Sequence, residues 1–176
     1  MKKKQKQGQF GTYLNGAEIL NMNLHEEIKN IKGKVTLDFH NVLTDTHEII
    51  EVDNVFTTAG KNSIASRLKG TTTNNEGIIT YCALGTGSTA PTAADTDMET
   101  EIERKVISVR SVSGNVATFQ TYFTTGEAIG TLREAGLFGN AATGVADSGT
   151  MFCHTAVNRT KTANDTLTLT WQVSIG

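Results

Sequence analysis

The stretch Asp165–Ile175 reads D-T-L-T-L-T-W-Q-V-S-I. Leu167, Leu169, Trp171, Val173 and Ile175 fall on one side of an extended chain, and Thr166, Thr168, Thr170, Gln172 and Ser174 fall on the other. Side chains alternate faces with period 2 in a strand, so this is a strand with one dry face and one wet face. Its apolar row has to lie against a second layer, and the rest of the chain is read for the elements that supply it.

Upstream, the same alternation recurs. Val35, Leu37 and Phe39 alternate with Thr36, Asp38 and His40, and the polar turn Thr44-Asp45-Thr46 leads into a second run over Glu48–Val55. The two runs form a hairpin. T-T-A-G-K-N-S-I-A-S-R-L-K-G follows, with Thr57 or Thr58 to cap a short helix, Ile64 and Leu68 four apart, and Gly70 to stop it. After a soft loop over Thr71–Gly77, Ile78–Leu84 is nearly continuously apolar, as in a strand covered on both faces. Met98, Ile102 and Val106 then recur every four, and a strand over Lys105–Val112 turns at Ser113-Gly114-Asn115 into Val116–Phe123. Arg133–Phe138 and Met151–Val157 complete the set. At least seven strands, short turns and two small helices predict a mainly β fold, an antiparallel β-sandwich of jelly-roll or Greek-key type over residues 34–176.

Residues 1–33 read as an N-terminal arm. Its start is polar and punctuated by glycine, with Phe10, Tyr13 and Leu14 as apolar anchors and a composition that does not fold alone. Over Ala17–Ile31, the positions Leu20, Leu24, Ile28 and Ile31 have helical spacing, with Gly33 as the stop, although Leu20, Met22 and Leu24 also satisfy period 2.

Charge separates the arm from the body. Lys2, Lys3, Lys4 and Lys6 precede the first acid, Glu18, in a chain of net charge −2. Setting those four aside leaves 12 basic against 18 acidic groups, a body of −6. From Ile107 onward only eight charges occur in 70 residues. An acidic body lacks the basic, aromatic-lined face that specific nucleic-acid recognition requires, and the lysines are placed to meet an acidic protein surface. Gln5–Asn15 contains no apolar run of the ~7–15 residues that a signal peptide needs. No segment approaches the roughly 20 apolar residues of a membrane span, so no membrane partner is expected.

The chemistry-bearing residues favour structural roles. Gly85-Thr86-Gly87-Ser88-Thr89 follows a strand but lacks both the phosphate-loop lysine and the dinucleotide spacing, so it reads as a tight turn past a close neighbour. The histidines, His25, His40, His47 and His154, show no i, i+4 pair on a helix and no C-x-x-C context. Cys153 and His154 are adjacent and point to opposite faces of a strand, so no metal site and no cofactor are expected. Cys82 and Cys153 read as buried free thiols. No G-x-S-x-G elbow is present, and no catalytic residue is assigned. Glu134, in R-E-A-G-L-F beside Phe138, reads as a buried structural charge satisfied by backbone donors or by Arg104, Arg110 or Arg159.

Four blocks then carry a resemblance: N-V-F-T-T-A-G-K-N-S-I-A-S-R-L at 54–68, Y-C-A-L-G-T-G-S-T-A-P at 81–91, G-T-L-R-E-A-G-L-F at 130–138, and M-F-C-H-T-A-V-N-R-T-K-T-A-N-D-T-L-T-L-T-W-Q-V at 151–173. Together they resemble a group of small β-sandwich structural proteins of tailed bacteriophages, comprising head-decoration and tail-fibre-related virion components. The resemblance covers about Val35–Gly176, and the Cys153–His154 pair and the Lys-rich start depart from it. It implies a non-enzymatic, oligomeric particle component located in the virion after assembly in the host cytoplasm. The expected role is capsid decoration, with the arm carrying attachment to the major capsid protein or other virion proteins through Lys2, Lys3, Lys4, Lys6, Phe10, Tyr13 and Leu14. A tail or baseplate adaptor is the alternative within the same class. A carbohydrate-binding module is the alternative from another class, and it requires an exposed aromatic platform from a chain that is 6% aromatic.

Overall fold

The computed structural model describes residues 31–70 and 76–176. They form two five-stranded antiparallel sheets packed face to face. The strands are β1 (Ile31–Asn41), β2 (Thr46–Asp53), β3 (Val55–Phe56), β4 (Ile79–Gly85), β5 (Glu101–Val106), β6 (Val109–Ser113), β7 (Val116–Phe123), β8 (Gly130–Gly139), β9 (Thr150–Lys161) and β10 (Asp165–Ile175). One helix, α1 (Thr58–Leu68), joins β3 to β4. The first sheet has the order β2-β1-β10-β7-β6 and the second β3-β9-β8-β4-β5. The expected antiparallel sandwich is therefore the fold, with ten strands among the described residues.

β10 is the middle strand of the first sheet. It pairs with β1 from Ile31↔Ile175 to Asn41↔Asp165 and, on its other flank, with β7 from Leu167↔Phe123 to Ser174↔Val116. Leu167, Leu169, Trp171 and Val173 are buried in the interlayer core beside Val35, Leu37 and Phe39 of β1 and Leu132 and Leu137 of β8. Ile175, at the end of the same row, is exposed. The uncharged threonine row thus needs no edge-protecting charge, because both flanks of the strand are already paired.

The middle of the second sheet, over β4 and the second half of β8, is buried on both faces. Its outer side carries a separate small cluster of Ala83, Met98, Phe138 and Met151, roofed by the loops before β5 and before β9. This is why β4 reads as an apolar run rather than as an alternation. Leu132 and Leu137 both face the main core although they are five positions apart, an odd offset that regular alternation would place on opposite faces. The ladder between β8 and β9 shifts register between Leu132 and Glu134, and that irregularity reverses the pleat.

Three expectations are corrected. Ile31 and Gly33, read as the end and stop of a helix over Ala17–Ile31, lie in β1; residues 17–30 of that helix fall outside the described residues. Gly33 is required for a different reason. A Cβ there would stand 1.7 Å from Asn54 Oδ1, so the glycine makes room for the Asn54 side chain. Second, the every-fourth recurrence of Met98, Ile102 and Val106 is not one buried face: Met98 is buried while Ile102 and Val106 are exposed on β5. Third, Lys105–Val112 is not one strand. The chain leaves the second sheet after Val106 and enters the first at Val109. The hinge is pinned from both sides, as Ile107 N–H donates to Thr80 O and Ser108 N–H to Gln120 O.

α1 begins where its sequence signal placed it. Thr57 is the N-cap, its Oγ1 accepting from Gly60 N–H at 2.9 Å and donating to Met151 O at 2.5 Å. The cap therefore also fastens the helix to β9. No helix among the described residues is long and apolar enough to cross a membrane.

Candidate functional site

The densest cluster of buried polar side chains surrounds Glu134, at the centre of the second sheet. β8 presents its carboxylate to the outer face, beneath the loop that joins β4 to β5. Oε1 accepts from Gly87 N–H at 2.9 Å and Thr100 N–H at 2.8 Å, and Oε2 accepts from Glu99 N–H at 3.0 Å. His154 Nε2 lies 3.1 Å from Oε2, and His154 Nδ1 lies 2.6 Å from Asp95 Oδ2. An imidazolium donates to both carboxylates at once, whereas either neutral tautomer donates to only one.

The Gly-Thr-Gly turn explains how a carboxylate comes to be enclosed by backbone. A Cβ on Gly85 or on Gly87 would each lie 2.5 Å from Glu134 Oε1. The two glycines let the chain wrap the carboxylate as a phosphate loop wraps an anion, except that the anion belongs to the protein. The close neighbour expected for this turn is thus Glu134 itself.

Further out, the same loop is held by Asp95. Its carboxylate accepts from Thr92 N–H at 2.8 Å and Thr92 Oγ1 at 2.6 Å. Burial favours the protonated acid, but the Thr92 donors and His154 outweigh it and hold Asp95 below the usual carboxylate range. Thr58 N–H donates to Ala93 O, tying the loop to the start of α1.

Arginine plays no part at Glu134. Arg104 instead forms a bidentate pair with Glu101, Nε to Oε1 at 2.6 Å and Nη2 to Oε2 at 2.7 Å, and lies over the Phe138 ring 4.4 Å from its centroid. Its Nη1 donates to Thr143 O and Ser148 O, fastening the loop before β9. Arg159 pairs with Glu48 of β2, and Arg110 lies on exposed β6. Backbone N–H groups of Gly87, Glu99 and Thr100 surround the Glu134 carboxylate. His154, twenty residues away, takes the place assigned to arginine. The signal for it was present: His154 sits opposite Gly136 in the β8–β9 ladder, and Gly136 shares its face with Glu134.

The two thiols are buried and free. Cys82 is opposite Leu137, and Leu137 is opposite Cys153, so two inter-strand spacings, roughly 9–10 Å, separate them. A disulfide spans at most about 7 Å between Cα atoms. Burial pushes the Cys82 thiol up to about 12, against the opposing pull of donors from Trp171 and Thr121, and pushes Cys153 up as well. Neither is a nucleophile in the folded protein.

Lys2, Lys3, Lys4, Lys6, Phe10, Tyr13 and Leu14, the residues expected to carry attachment, lie outside the described residues. Compared with protein-family models, curated proteins and solved structures, the chain matches none of them.

The described surface offers one further feature of note. Four strands are sheet edges: β2, β6, β3 and β5. β2 carries Glu48, Glu51 and Asp53, β5 carries four charged residues, and β3 is only two residues long. β6, V-R-S-V-S, is exposed along its whole length with Arg110 as its single charge, and its Val109 and Val112 are 46% and 75% exposed. Edges are ordinarily guarded by charge, brevity or cover. β6 has little of any.

Proposed function

We propose that this protein is a non-enzymatic structural component of a bacteriophage virion. In this reading it is a capsid decoration or stabilising protein that attaches to the major capsid protein or its neighbours through the N-terminal arm and associates with further copies of itself. The observation that carries the reading is the unguarded β6 edge. A strand whose outer flank is unpaired among the described residues, with two exposed valines, is suited to pairing with another chain. The resemblance of the four sequence blocks to phage structural proteins supports the same class.

The densest polar cluster is consistent with it. Both oxygens of Glu134 are taken up by the protein's own donors, which is the arrangement of a fastener. A carbohydrate-binding role finds less support: Trp171 is in the core, and Tyr122 is the one exposed aromatic among the described residues.

The test is to locate the protein on intact particles by cryo-microscopy, with wild-type protein and with a variant lacking residues 1–16. Many copies distributed over the shell, lost on deletion while the body stays folded, are the expected result. A few copies confined to the tail would replace decoration with an adaptor role. Full attachment of the deletion variant would refute the arm as the anchor.

A further inference from the structure

The β1–β2 hairpin brings together three residues that sequence spacing left apart. His40 and His47 are directly opposite in the ladder, with parallel rings 4.3 Å apart between centroids and 4° between planes. Asp45, at the turn, places Oδ1 3.0 Å from His40 Nε2. One ligand atom from each of the three residues lies within 4.8 Å of the others. On the far side, His47 Nδ1 is 2.7 Å from Asp38 Oδ1, which leaves its Nε2 as the free ring nitrogen.

Two imidazoles and one carboxylate form a ligand set for a borderline divalent ion of the first transition row. The Asp38–His47 contact adds the outer carboxylate that typically orients a metal-binding imidazole and raises its basicity. The tip itself is fixed. Asn41 Oδ1 accepts from Leu43 and Thr44 N–H, and Asn41 Nδ2 donates to Asp165 at the start of β10. Zn–N distances of about 2.0–2.1 Å place tetrahedral ligand atoms roughly 3.3 Å apart. Rotation of the exposed His47 and Asp45 side chains and of the half-buried His40 ring on a held backbone supplies the required closure.

We propose that this hairpin tip binds a divalent transition-metal ion, with Zn²⁺ as the type. His40 Nε2, His47 Nε2 and an Asp45 oxygen are the protein ligands, water completes the sphere, and Asp38 is a positioning residue. The ion bridges the turn and both strands at one edge of the first sheet. The expectation of no metal site rested on helical and C-x-x-C spacings; a hairpin register achieves the same convergence with residues seven apart. The inference is independent of the virion reading and stands or falls separately from it.

The experiment uses the full chain, titrated with Zn²⁺ by calorimetry and with Co²⁺ by visible absorption. One equivalent of bound ion, with d–d bands from nitrogen and oxygen ligation, is expected. His40→Gln combined with His47→Gln abolishes it, and Asp38→Asn weakens it about 10–100-fold. His47 is exposed and His40 and Asp38 are half-buried on the outer surface of the hairpin, so metal-free stability and circular dichroism serve as folding controls. Absence of Zn²⁺ binding at millimolar concentration in the wild type overturns the proposal. So does undiminished binding by the double variant, which would put the ion elsewhere in the chain.

Discussion

Replacing Glu134 by leucine removes the acceptor for three backbone N–H groups, those of Gly87, Glu99 and Thr100, in a site where the carboxylate is essentially inaccessible. A buried donor left without a partner costs about 1–3 kcal/mol. Three such donors set the scale at several kcal/mol, and local relaxation and water entry reduce it. The expected loss is about 3–5 kcal/mol, the range for removing one member of a buried charged set. That is a large share of the roughly 5–15 kcal/mol total of a domain. Glutamine separates the effects. Its oxygen can keep the Gly87 and Thr100 bonds, but its NH₂ group then faces the Glu99 N–H, donor against donor. Glu134→Gln is therefore expected to cost about 1–3 kcal/mol, for one orphaned donor.

Urea unfolding measures both changes, and an unchanged m-value shows that the comparison is between like states. Amide exchange supplies the local readout: the Gly87, Glu99 and Thr100 amides should lose protection before those of the β1–β10 ladder. If Glu134→Leu unfolds within 1 kcal/mol of wild type, or leaves those three amides as protected as before, Glu134 is not what fastens the loop.

Three further outcomes are expected. Thr57→Ala removes both the helix cap and the bond to Met151 O; a loss of about 0.5–2 kcal/mol in urea unfolding is the expected range for the cap, and no loss would contradict the geometry. Burial alone would raise the Asp165 carboxyl, but donors from Thr162, the Arg159 charge and the Asn41 amide hold it below its usual range. Its contribution is therefore complete above the unfolded value of about 3.9 and is lost as pH falls through the folded value; the fall in urea midpoint below about pH 4 should be shallower in Asp165→Asn than in wild type. Finally, a thiol reagent should label neither Cys82 nor Cys153 in the native protein and both after denaturation, since both are fully buried; rapid native labelling of either would refute its placement.

Much of the fold was legible because its signals are local. The alternation in β10, the apolar run of β4, the Ser113-Gly114-Asn115 turn and the Thr57 cap each follow from dihedral preference or side-chain period, and each lies where it was expected. What was not legible depends on partners distant in the chain. Nothing within Lys105–Val112 states that two residues, Ile107 and Ser108, carry the chain from one sheet to the other. Gly33 gave the same letter a helix stop would give, and only Asn54, twenty-one residues on, explains it. The partner of Glu134 was sought among arginines by charge alone, whereas the β8–β9 register selects His154. The His40–His47 pair stands between these cases. Once the turn is placed at Val42–Asp45, the hairpin register sets the two rings opposite each other, so it could have been found without coordinates.

Buried charge in this fold is used to hold loops. The outer face of the second sheet carries two loops that cannot be held by apolar burial alone, because the cluster beneath them is small. Each is fastened by one buried charge spent on backbone: Glu134 accepts from the loop before β5, and Arg104 donates to carbonyls of the loop before β9. Water would compete for such bonds if they were exposed, so burial is what makes them effective. The cost is that neither group remains free to bind or transform anything else. Glu134 and Arg104 each give a loop a fixed position over the second sheet, while β6, longer than β3 and with a single charge, is the sheet edge least guarded among the described residues.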